Sequence, residues 1–86
     1  MRVIELKDVL RKETHLHYRR EFTACAVLDI LDRPMEKRIE FTMESTPLGT
    51  LKVNVHLIDQ VEYPVIPILS GIKDFVTDLD RRGHLP

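Results

Sequence analysis

Residues 37–58 read KRIEFTMESTPLGTLKVNVHLI, and this stretch decides the fold. Ile39, Phe41 and Met43 alternate with Arg38, Glu40, Thr42 and Glu44. A strand repeats its side-chain direction every two residues, so the apolar set shares one face and the polar set the other. The pattern returns with Leu51, Val53, Val55 and Leu57 facing inward and Lys52, Asn54 and His56 facing outward. Between the two runs stand Pro47 and Gly49, residues that preset or permit turn dihedrals. The reading is a β-hairpin with a loop of about four or five residues.

Upstream, Phe22, Ala24, Ala26, Leu28 and Ile30 form a third apolar face with the same period. Its reverse holds Glu21, Thr23, Cys25, Val27 and Asp29, more apolar than a fully wet face. Residues 32–37, DRPMEK, are expected to break this strand, because proline cannot continue a central ladder. Downstream, Val65, Ile68, Leu69, Ile72, Phe75, Val76 and Leu79 recur at spacings of three and four, the stripe of an amphipathic helix. Pro64 and Pro67 suit its first turn, Arg81 and Arg82 its negative end, and Gly83 a left-handed cap. Val3, Leu6 and Val9 or Leu10 fit a short N-terminal helix, while Ile4 and Leu6 fit a strand equally, and helix is the reading preferred. The expected fold is α+β, a three-stranded antiparallel meander sheet covered on one face by a C-terminal amphipathic helix, with a short N-terminal helix or strand.

The 86 residues fit one domain spanning 1–86, and 43% hydrophobic with 31% charged residues marks a folded chain, not a disordered one. Thirteen Lys and Arg against fourteen Asp and Glu leave a formal charge of −1, so the basic excess typical of nucleic-acid binding is missing. One cysteine forms no internal disulfide, and MRVIELKDVLRKE contains neither the apolar core nor the cleavage site of a signal peptide. No apolar run approaches the roughly 18 residues a spanning helix needs. A reducing cytoplasm, no membrane partner and no cofactor are therefore expected.

Several residues invite a chemical reading. His15 and His17 would share a face on a strand and, with His56 or Glu21, could ligate a metal. The competing account is a polar coat at an exposed strand entrance, and it is preferred because only two ligands are guaranteed to converge. Cys25 with a histidine is the minimum for a nucleophile and base, yet its apolar neighbours would raise its pKa, which suits a packed thiol. Ser70 and Lys73 resemble the S-x-x-K element of penicillin-binding proteins, but the accompanying S-D-N and K-T-G are absent and both residues fit a polar helix face. Asp29, Asp32, Glu36, Glu40 and Glu44 are interleaved with Arg33, Lys37 and Arg38, as on a solvated face of mixed sign. Three isolated glycines offer no phosphate cradle.

With an N-terminal helix, the element order resembles that of the double-stranded RNA-binding domain. That family carries a lysine-rich G-x-x-x-K-K-x-A-K segment at its second helix, where this chain reads VEYPVIPILSGIK, uncharged from Tyr63 to Ile72. Residues 61–69, VEYPVIPIL, are also more apolar than one sheet and one helix require. Surplus apolar surface and free sheet edges share a remedy in self-association. The leading expectation is a non-catalytic protein–protein interaction module, homodimeric, with Val61, Tyr63, Val65 and Ile66 at the interface. Arg11, Lys12, Arg19 and Arg20 would steer an acidic partner. The alternatives are an RNA-binding domain and a histidine-ligated metal enzyme.

Overall fold

A computed structural model describes every residue, Met1–Pro86. The chain forms one four-stranded antiparallel sheet in the order β1 (Arg2–Lys12), β2 (Arg19–Ile30), β3 (Arg33–Ser45), β4 (Leu51–Leu57), followed by one helix, α1 (Val65–Arg81). The α+β class, the meander and the C-terminal helix match the expectation, and the hairpin of residues 37–58 forms with Phe41 opposite Val55. Its five-residue connection, 46–50, closes with Gly49 at φ +82°, inside the left-handed region.

Two expectations are corrected. The sheet has four strands because the N-terminal segment is strand, not helix. Val3, Leu6 and Val9 all pack against the core although they are three residues apart. Two register irregularities, between Val3 and Glu5 and between Lys7 and Leu10, each place an extra residue in β1. A bulge turns a spacing of two into three, so this strand imitates the first positions of a helical stripe. Asp8, at φ +54°, sits in the second bulge, and a short polar side chain tolerates that conformation. The second correction concerns residues 32–37. The β2–β3 turn takes only Leu31 and Asp32, and β3 begins at Arg33. Pro34 is tolerated because β4 pairs only from Ile39 onward, which leaves residues 33–38 a free edge on that side.

The core is the inner face of β2 and β3 under the helix. Phe22, Ala26, Leu28, Ile39, Phe41 and Met43 meet Ile68, Ile72 and Val76, all essentially without exposure. Phe22 and Phe41 are cross-strand partners whose rings stack at 4.7 Å. Burying a side chain of this size contributes on the order of 2 kcal/mol. At the far end of α1, Gly83 (φ +71°) donates its N–H to Asp80 and His84 donates to Leu79, the paired bonds of a Schellman cap. The Arg20 guanidinium clamps the Asp80 carboxylate through two bonds of 2.7 and 3.2 Å, tying the start of β2 to the end of α1. That contact holds the Asp80 carboxyl below its usual range. The sheet's other face has no covering layer and carries cross-strand ion pairs such as Lys12–Glu40 (3.3 Å) and Lys7–Glu36.

Candidate functional site

The two edges of the sheet are built differently. β1 has two bulges, a residue in the left-handed region and charges at Arg2, Glu5, Lys7, Asp8, Arg11 and Lys12. Bulges and charges are the devices that keep an edge from pairing with another chain. β4 has neither irregularity: its ladder to β3 runs unbroken from Leu51 to Leu57. Ile58 donates its N–H to Arg38 in β3. Because strand amides alternate in direction, the N–H groups of residues 56, 54 and 52 also face β3, and those of Val53, Val55 and Leu57 face outward. No turn, loop or cap bond engages those outward groups.

Beyond Leu57 the chain turns under the sheet, and Asp59 fixes the turn. Its carboxylate accepts the Arg38 backbone N–H (2.8 Å) and the Arg38 guanidinium (2.8 and 3.1 Å). These bonds lower the Asp59 pKa to about 2. Beside this turn lies an open groove of about 480 Å³, lined by Val55, Leu57, Ile58, Val61, Val65 and Leu69 among others. Of the four residues expected at an interface, Val61 and Tyr63 are half-buried and pack against the chain's own core. Val65 and Ile66 remain 45% and 76% exposed, next to Ile58 at 44%. The structure thus gathers one apolar corner, where the start of α1 meets the free edge of β4.

The expected electrostatic set is divided. Arg19 pairs with Glu44 (3.2 Å) and Glu21 (3.7 Å), Arg20 with Asp80, and Lys12 with Glu40, so only Arg11 is without a carboxylate partner. His15 and His17 lie in the 13–18 connection and not on a strand, so the shared-face argument does not apply to them. There the Thr14 hydroxyl accepts the Leu16 N–H. His56 is on β4 opposite Glu40, two to three strand spacings away, roughly 10–14 Å. No three His, Cys, Asp or Glu side chains converge anywhere in the chain. Cys25 faces the uncovered side of the sheet, and burial, followed by the nearby Glu36 carboxylate, raises its pKa. Ser70 and Lys73 are exposed on α1. No helix is long and apolar enough to cross a membrane.

What the sequence reading passed over is the β4 edge itself. LKVNVHL is symmetric about Asn54 except that lysine answers histidine, a signal open to inspection once the strand's free edge is known. Among known proteins, one family model, designated only by the locus label BB-0187, matches residues 1–81. No curated protein and no solved structure matches the chain.

Proposed function

The chain belongs to the BB-0187 family, and we propose that it is a protein–protein interaction module that assembles as a homodimer through the β4 edge. The observation that carries this reading is the near-palindrome of that edge. A twofold axis at Asn54 sets Val53 against Val55 and Leu51 against Leu57 of the second copy on the inner face. On the outer face Lys52 meets His56 and Asn54 meets itself. The outward amides of Val53 and Val55 would then find carbonyl partners, and the two sheets would join into one. The corner of Ile58, Val65 and Ile66 flanks this seam and would lose its exposure there. A single free cysteine suits a reducing compartment, and we take the cytoplasm as the setting.

What weighs against nucleic acid is the engagement of Lys12, Arg19 and Arg20 by carboxylates, which leaves no continuous basic stripe. The test is native mass spectrometry of the full chain at low micromolar concentration, with two variants. Ile66→Glu puts a charge on the exposed corner, and Val55→Pro removes an outward amide that the monomer does not use. A wild-type dimer that both variants dissociate, with circular dichroism unchanged, is the expected result. A wild-type monomer, or a dimer indifferent to both changes, refutes the reading.

A further inference from the structure

A second concave site lies under the N-terminal half of β3 and uses no residue of β4. It encloses about 480 Å³ between Ile30, Arg33, Met35 and Lys37 on one side and residues 60–62 on the other. Arg33, Met35 and Lys37 pair with Ile30, Leu28 and Ala26 of β2, so all three point to the core side of the sheet. Because β4 leaves β3 at Ile39, no strand covers this stretch. The chain returns beneath it instead, pinned where the Lys37 ammonium donates to the Gln60 carbonyl at 2.9 Å. The floor is apolar: Ile30 is buried, and Met35 and Val61 are half-buried against the core.

The charges around that floor are unbalanced. Arg2, Lys7, Lys12, Arg19, Arg20 and Arg38 on the strands each have a carboxylate within 4.0 Å. Arg33 has none, and Lys37 has only the Gln60 carbonyl, which leaves two of its three donors free. One acid, Glu62, lines the cleft and makes no ion pair. A concave apolar floor between two cations without carboxylate partners has the chemistry to hold an anion with an apolar body.

We propose that this cleft binds an anionic amphiphile, its carboxylate or phosphate head between Arg33 and Lys37 and its apolar body on Ile30, Met35 and Val61. The site does not depend on dimerisation, because the β4 edge takes no part in it.

The experiment is a methyl and amide NMR titration of the full chain with decanoate, decyl phosphate, decanol and inorganic phosphate, below micelle-forming concentrations. Saturable shifts at Ile30, Met35 and Val61 with decanoate or decyl phosphate are expected, and the tighter of the two identifies the head group. Decanol and inorganic phosphate, each lacking half of the recognition, should bind about tenfold or more weakly. The double variant Arg33→Gln with Lys37→Gln should lose affinity by a similar factor while its spectrum remains that of the folded chain. Absent shifts, shifts centred on Val65 and Ile66, or undiminished binding by the double variant would each overturn the proposal.

Discussion

Leu31 and Asp32 form the whole β2–β3 turn, and both have positive φ, 53° and 61°. A two-residue hairpin of the primed type demands that conformation, because its twist matches the twist of the flanking strands. Asparagine followed by glycine meets the demand without strain, whereas a leucine there costs about 1–2 kcal/mol. Leu31 is 81% exposed, so its side chain returns little in packing. Leu31→Asn combined with Asp32→Gly should stabilise the chain by about 1 kcal/mol in urea denaturation, with an unchanged m-value. A loss of stability would mean that the turn is not of this type. The same residues explain why the turn was not legible in the sequence. Neither is a turn signal at its position, and Pro34 two residues later drew the strand boundary inward.

At the level of elements, β1 and the end of the β3–β4 ladder carry the lesson. The period of β1 is disguised by its bulges, so Val3, Leu6 and Val9 read as helix until β2 requires a partner along its open side. The ladder end depends on Asp59, which satisfies the Arg38 amide that no further β4 residue reaches. Its folded-state pKa of about 2 lies below the 3.8 of a free aspartate. The unfolded chain therefore takes up the proton first on acidification. The stabilisation from this cap is fully present above about pH 4 and is lost as the pH falls towards 2. Asp59→Asn should remove that part of the acid dependence, measured as the slope of unfolding free energy against pH over this window. An unchanged slope would show that Asp59 does not cap the ladder in solution. The helix behaves differently. Its stripe, its early prolines and the terminal Gly83 are local signals, and α1 lies where they predict it.

On the scale of the molecule, one helix covers one face of the sheet, and the two edges differ in protection. If β4 edges join two copies, folding and association are linked, so the melting temperature rises with protein concentration. Calorimetry over a hundredfold concentration range should show that rise for the wild type and a flat response for Ile66→Glu. A flat wild-type response would leave β4 an unpaired edge. By itself the sequence determined the class, the β3–β4 hairpin, the third apolar strand and the helix, because each rests on a period that neighbouring residues set among themselves. Only the tertiary structure decided that residues 2–12 are a strand, that Arg19 and Arg20 are already engaged, and that His15 and His17 lie apart from His56. Those outcomes depend on contacts across the sheet, between Leu6 and Ala26, Arg20 and Asp80, or Arg38 and Asp59. No local period records such contacts, since a pair is fixed only when the strands have taken their order.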